Sequence, residues 1–359
     1  LHTDTADFVY LGFNTMLTKQ HHITPEELHE SLKNIKVGGT VCHYSLKKCA
    51  ELVPIINEIN ELKQEKNAVI LAHSYVSPEI VYGVADYVGD SYALSKNAME
   101  TSADVIVFAA VRFMGETAKV MNPEKEVLIP TALDGCTLAD SITAEDVRRL
   151  RQQFPDYTFV CYINTTAEVK AECDVCVTSS NVYKIVERIP NDKIYFLPDK
   201  LMGQNLVNEM HARGVHKTIS YYSGTCYVHE EYGEDQIFRV RCEYPNVKVV
   251  SHPECNPAVV ANSDFVGSTA EMLGYMRETE SKEFLMLTEC GLSSRLQKEF
   301  PQKKLVGTCT LCRYMKSNTL EDILRVLKNP APRDRVVLDE TVRQKAAKCI
   351  EAMFHYTRQ

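Results

Sequence analysis

No apolar run in this chain approaches the roughly 20 residues that a membrane-spanning helix requires, so a bilayer is not expected among its partners. Nor does any GxxxxGK[ST] or GxGxxG open a strand–helix unit, which leaves ATP or NAD use unsupported. There is no basic run to neutralise phosphates, and the net charge is −8, so nucleic acid is excluded as the main partner. The first residues, LHTDTADFVYLGF, are acidic and polar, unlike a secretory leader. Low-complexity segments are absent as well.

What is present is the composition of a soluble globular protein, 45% hydrophobic and 25% charged. A chain of 359 residues is too long for one ordinary core and suggests about two or three domains. It carries 13 cysteines. An odd number in a long chain without a leader argues against a disulfide framework and for metal or thiol chemistry in a reduced compartment. The expected location is the cytoplasm, with an organelle left open.

Three stretches read as copies of one unit, each ending in a cysteine. They run from AVILAHSY to Cys136, from TFVCYIN to Cys226 and from VKVVSHPE to Cys312. A polar residue closes the first apolar strand of each: His73, Asn164 and His252, which lie 63, 62 and 60 residues before the cysteine. A hydroxyl follows at Ser91, Ser179 and Ser268, which are 18, 15 and 16 residues on. Strands are expected at 68–73, 104–110, 126–130, 158–164, 174–178, 193–198, 217–222, 247–252, 264–267, 283–288 and 303–307, with helices between them. Apolar strands alternating with helices imply parallel sheets covered on both faces. The fold class is therefore α/β, with three pseudo-threefold-related αβα units around a central site. Residues 1–50 form an extension outside the repeat, with Thr24-Pro-Glu-Glu27 as a helix start. The first unit spans 51–136 plus C-terminal helices in 318–359, expected to pack back on it. The second spans 137–226 and the third 227–317.

Ligands of parallel sheets sit at the carboxyl ends of strands, where the repeat places its polar residues. Three thiolates brought to one axis suit a metal centre with one open position, zinc or iron–sulfur. A lone Cys is usually a small buried apolar side chain; threefold recurrence at matched spacing argues otherwise for Cys136, Cys226 and Cys312. Cys173 and Cys176 are placed in a strand, where residues three apart point to opposite faces, so they read as packing. Cys309 and Cys312 lie in a loop and suit a redox pair or zinc half-site, although only Cys312 fits the repeat. Cys42, Cys49, Cys161, Cys242, Cys255, Cys290 and Cys349 read as structural. His252 and Glu254, two apart at a strand end, suit an acid/base pair; the alternative is a capped strand end with a surface Glu. His73 and Tyr75 share that spacing. Ser91, Ser179, Ser268 and Thr269 precede helices, where a hydroxyl is an N-cap or part of an anion cradle.

LAHSYVSPEI, VADYVGDS, FMGETAK, YINTTAEVKAECDVCVTSSN, GTCYVHE, SHPECNP and CRYMK, in this order over about residues 65–320, resemble the A-type quinolinate synthases of de novo NAD biosynthesis. The resemblance implies a three-domain pseudo-threefold fold. It also implies a [4Fe–4S] cluster held by Cys136, Cys226 and Cys312, with one iron open to act as a Lewis acid. The implied reaction condenses iminoaspartate with dihydroxyacetone phosphate to quinolinate, releasing phosphate and water. An aspartate-oxidising enzyme would supply the iminoaspartate. By the same resemblance His73, Ser91, Tyr162, Asn164, Ser179, His252, Glu254 and Thr269 would bind substrate, and Tyr75, Glu254 and His252 would be catalytic. Glu254, as base, is expected to have a raised pKa when buried near an anionic substrate. Two other readings fit fewer residues: a non-catalytic iron–sulfur or zinc protein, and a different lyase acting on a phosphorylated ketose.

Overall fold

The computed structural model describes residues 22–37 and 42–359, so the reading of the first residues as unlike a leader lies outside the described part. Its frame is three four-stranded sheets, each wholly parallel. The first holds Ala68–His73, Tyr87–Gly89, Val105–Ala109 and Glu126–Leu128. The second holds Thr158–Tyr162, Val175–Val177, Lys193–Leu197 and Thr218–Tyr221. The third holds Lys248–Ser251, Phe265–Val266, Glu283–Leu287 and Lys304–Val306. In every sheet the spatial order is second, first, third, fourth. The central strands are continuous apolar runs such as AVILA, VIVFA and FVCY, buried along nearly their whole length. Helices cover both faces, as such runs demand.

All eleven expected strands are present; Tyr87–Gly89 was missed, as was the antiparallel pair Lys36–Val37 and Cys42–His43 in the N-terminal extension. Tyr87–Gly89 has one aliphatic residue, Val88, between a tyrosine and a glycine, too little apolar length to stand out. It is nevertheless the first unit's copy of Val175–Val177 and Phe265–Val266. One interaction marks the equivalence. An aspartate just before each of these strands accepts the backbone N–H near the start of the neighbouring first strand: Asp86 from Ile70 at 2.8 Å, Asp174 from Phe159 at 2.7 Å and Asp264 from Val249 at 2.9 Å.

This register corrects the repeat. Ala72, Cys161 and Ser251 face Val88, Cys176 and Val266. The residues that close the first strands are therefore His73, Tyr162 and His252, and two residues on stand Tyr75, Asn164 and Glu254. Asn164 had been set against the two histidines because all three are polar; it is the counterpart of Tyr75 and Glu254. The matched hydroxyls lie five residues past the aspartates, at Ser91, Ser179 and Thr269, not Ser268.

Other elements tie the units together. In the helix Arg112–Met121, which holds FMGETAK, Glu116 accepts the backbone N–H of Ala167 at 2.8 Å, crossing from the first unit to the second. Of the C-terminal helices, Leu320–Lys328 packs on the first unit, against Leu46–Glu65 and Val105–Ala109. Glu340–Arg358 packs mainly on the second, against Ala167–Ala171, Val175–Val177 and Val182–Arg188, with a lesser contact to Arg112–Met121. The expected return to the first unit thus holds fully for only one of the two. The predicted N-terminal helix is Pro25–Leu32, closed by the Thr24–Glu27 capping box.

Candidate functional site

The carboxyl ends of the first strands of all three sheets open on one cavity. His73, Tyr162 and His252 line it, as do Tyr75, Asn164 and Glu254, the hydroxyl residues Ser91, Ser179 and Thr269, and Cys136, Cys226 and Cys312. Ser268 does not line it. It caps the helix Thr269–Glu278 in a box with Glu271, which leaves Thr269 as the first helical residue. Asp90 caps Ser91–Glu100 in the same way, accepting from Ala93 at 2.9 Å. Asp90 Oδ2 and the Thr269 hydroxyl are buried without a protein partner. Buried polar atoms normally find partners, so these two mark places where a ligand is expected to complete the set.

The two histidines share a local bond pattern. Nδ1 of His73 accepts the N–H of Tyr75 at 3.2 Å, and Nδ1 of His252 accepts that of Glu254 at 3.3 Å. Each ring is thereby set as the neutral tautomer with its proton on Nε2. Burial drives both pKa values down to about 3, with Lys316 and Arg295 adding to the effect at His73 and with Glu254 opposing it at both. Neither ring is a cation; each can donate a neutral hydrogen bond.

Glu254 is buried and held at both oxygens. Oε1 accepts from the Tyr162 hydroxyl at 2.5 Å, and Oε2 lies 3.0 Å from Nδ1 of His229. Burial alone would raise its pKa, but His229 and the Tyr162 hydroxyl, which hold its two oxygens, outweigh it and keep the carboxyl at about 2. In the protein itself the shift is downward, because donors converge on the charge. His229 also lies 3.3 Å from Cys226 Sγ, and its Nε2 is 3.2 Å from the Thr288 hydroxyl. That hydroxyl in turn meets the Tyr75 hydroxyl at 2.8 Å. Tyr75 and Glu254 are thus joined through Thr288 and His229. Burial keeps Tyr75 protonated, well above the usual phenol range.

Cys226 and Cys312 each cap a one-turn helix, Tyr227–Glu230 and Arg313–Lys316, and Cys136 precedes the turn Ala139–Ser141. Backbone N–H groups of the following turn point at each sulfur: Leu138 and Ala139 at Cys136, His229 at Cys226, Tyr314 and Met315 at Cys312. Such donors favour thiolate, yet burial wins and raises all three pKa values, that of Cys136 to about 12. A cation among them would reverse this balance. Three thiols with N–H donors from the following turn, and no fourth cysteine lining the cavity among the described residues, fit a cluster held at three corners. Cys226, His229 and Glu254 also meet closely enough to hold a single ion.

Sequence reasoning missed His229, Glu289, Thr288 and Lys316. Glu289 is fully buried and accepts the backbone N–H of Cys312 at 3.1 Å; Lys316 lies 3.4 Å from it and donates to the carbonyl of Tyr75. Their spacing was a signal, since His229 and Lys316 stand three and four residues after a repeat cysteine and so on its own helical turn. Cys309 pairs with Cys290 in a disulfide, not with Cys312. Cys161, Cys173, Cys176 and Cys349 are all buried, but the strand argument for Cys173 and Cys176 needs correction. Cys173 precedes the strand, which begins at Val175, so strand alternation does not separate it from Cys176. The thiols of Cys173, Cys176 and Cys349 all approach that of Cys161.

Comparison with known proteins adds a family. The family model described as "Quinolinate synthetase A protein" matches residues 57–355. The quinolinate synthase of Xylella fastidiosa (strain 9a5c) is 42% identical over 342 residues, 91% of this chain and 99% of that protein. Quinolinate synthase 2 of Mesorhizobium japonicum is 44% identical over 298 residues, 83% of this chain and 90% of that protein. The quinolinate synthase of Rippkaea orientalis is 40% identical over 314 residues, 85% of this chain and 94% of that protein.

Proposed function

The chain belongs to the quinolinate synthetase A protein family, and from that premise we propose that its central cavity condenses iminoaspartate with dihydroxyacetone phosphate to quinolinate, releasing phosphate and water. The observation that carries this reading is the convergence of three repeat cysteines with Tyr75, Tyr162 and Glu254 in one buried cavity. Cys136, Cys226 and Cys312 would hold a [4Fe–4S] cluster, whose remaining iron supplies Lewis acidity toward a substrate oxygen or nitrogen.

The protein's own groups divide the rest of the work. Both substrates are anions, and the cavity meets them with neutral donors and two helix starts. The ten-residue helices Ser91–Glu100 and Thr269–Glu278 each begin with a hydroxyl at the cavity wall, an arrangement that favours phosphate or carboxylate. His73 and His252 offer Nε2–H, and Asn164 offers its amide. Glu254 is the base: it is ionised, and His229 and Tyr162 fix its orientation. An anionic substrate beside it would raise its affinity for a proton, which brings a carboxylate held so low toward usefulness. Tyr75, kept neutral, is placed to donate a proton, with Thr288 and His229 linking it to Glu254. Burial of Glu254 and Tyr75 excludes water from the carbon atoms that must join before either substrate hydrolyses.

The test is an anaerobic assay for quinolinate, with iminoaspartate generated in place and dihydroxyacetone phosphate added. Quinolinate formation that depends on both substrates and on bound iron and sulfide is the expected result. Zinc in place of iron, or cluster-loaded protein that makes no quinolinate, would overturn the reading.

A further inference from the structure

The second unit carries three cysteines that do not line the central cavity, and a fourth from the C-terminal helix packs beside them. Cys161 and Cys176 are register partners in adjacent strands, so they share one face of the sheet. Cys173 lies in the turn leading into the second of these strands. Cys349 comes from Glu340–Arg358, the helix packed over that strand. The sulfurs of Cys161 and Cys349 are 3.5 Å apart, and the thiols of Cys173 and Cys176 converge on the same sulfur. Cys161 and Cys176 are 0% exposed, Cys349 is 1% and Cys173 is 8%.

The repeat serves as a control for what packing alone requires. At the positions of Cys161, Cys173 and Cys176 the first unit has Ala72, Ala85 and Val88, and the third has Ser251, Ser263 and Val266. In the third unit two of these form a hydroxyl pair, Ser263 to Ser251 at 2.8 Å. The fold thus accepts methyl groups or hydroxyls at these places. Three thiols there in one unit only, joined by a fourth from a helix outside the repeat, are not explained by packing the sheet.

The charge around them is also unusual. Lys170 is fully buried, and its ammonium donates to neutral oxygens: the carbonyls of Ile163 and Thr165 and the hydroxyl of Thr165. Its field reaches Cys161 and Cys176.

We propose that Cys161, Cys173, Cys176 and Cys349 form a second metal site, for one thiophilic d10 cation of the zinc class, which fastens the C-terminal helix to the second unit. Zinc–sulfur bonds of about 2.3 Å in a tetrahedron place neighbouring sulfurs about 3.8 Å apart, close to the Cys161–Cys349 separation. A pair of cysteines three residues apart, completed by two distant ones, is a familiar ligand pattern for such ions. Four thiolates around a divalent ion leave a charge of −2, and Lys170 halves it. The three outer thiols gather on Cys161 rather than on a common point; among the described residues only Cys226, His229 and Glu254 already meet mutually. Metal binding therefore draws Cys173 and Cys176 inward and tightens the helix against the strand.

The full chain is purified anaerobically with its iron and sulfide, incubated with zinc(II), and challenged with a chromogenic zinc chelator. Zinc and iron are then counted, and the zinc edge is read by X-ray absorption. One zinc per chain, in an all-sulfur shell, is expected for the parent and for Cys242→Ser, whose cysteine is exposed. Cys173→Ser, which alters the outermost of the four, should weaken zinc retention at least tenfold with iron unchanged; Cys349→Ser should do the same. The proposal is overturned by a parent that retains no zinc, by Cys173→Ser and Cys349→Ser holding zinc as tightly as the parent, by a nitrogen–oxygen shell, or by zinc that leaves with Cys312→Ser instead. An intact mass showing a Cys161–Cys349 disulfide in the anaerobic protein also overturns it.

Discussion

The hydroxyl of Tyr162 donates to Oε1 of Glu254 at 2.5 Å, joining the end of the second sheet's first strand to the loop that follows the third sheet's first strand. Ninety-two residues separate the two. The bond exists because both strands end at the same cavity, and it helps to hold Glu254 ionised.

Tyr162→Phe removes that donor and leaves the ring. A hydrogen bond to a charged group contributes about 1.5–3 kcal/mol, so the pKa of Glu254 should rise from about 2. Glu254 acts in its ionised form, so activity is lost as pH falls through its pKa. Raising that pKa moves the acid limb of the kcat/KM profile to higher pH. A profile identical to that of the parent would remove Tyr162 from the role of holding this charge.

Glu254→Gln keeps the shape but cannot take a proton, and Tyr75→Phe loses only its hydroxyl. Each should slow quinolinate formation by about 10²–10⁴-fold, as for a positioned acid or base, while retaining iron and sulfide and binding a dicarboxylate product analogue. Parental turnover by Glu254→Gln with its cluster intact would show that Glu254 is not the base.

Serine at Cys136, Cys226 or Cys312 should abolish the brown absorbance of anaerobic protein, since two thiols cannot hold the cluster at three corners. Serine at Cys173 or Cys176 should leave it. Visible spectra with iron counts decide; a cluster that survives Cys226→Ser but not Cys173→Ser would reassign the ligands.

Gly291 is the second residue of the helix Cys290–Glu299, and a Cβ there would lie 2.5 Å from Cα of Tyr75. The obstacle is backbone, which cannot swing aside. Gly291→Ala should cost about 1–3 kcal/mol of stability as an overpacked site and push Tyr75 out of line with Thr288. Urea denaturation and quinolinate turnover both report it; an unchanged midpoint with full turnover would mean that the helix start shifts freely.

Much of the frame was legible because buried parallel strands are written as continuous apolar runs. Tyr87–Gly89 escaped since Val88 is its only aliphatic residue, although Asp86, Asp174 and Asp264 mark the same place in each unit. Polarity alone aligned Asn164 with the histidines. Only the ladder, which pairs Cys161 with Cys176 as it pairs Ala72 with Val88, shows that Tyr162 is the strand-end residue.

The sequence by itself determined the three αβα units, the recurrent cysteines and the polar residues at strand ends, because each is a local pattern of apolar length and spacing. The tertiary structure alone decided which distant groups share charge. His229 reaches Cys226, Glu254 and Thr288. Glu289 takes the N–H of Cys312, and Cys349 meets Cys161 across 188 residues. Hydrogen bonds and electrostatic coupling act over a few ångströms, and no spacing along a chain records which side chains folding will bring that close.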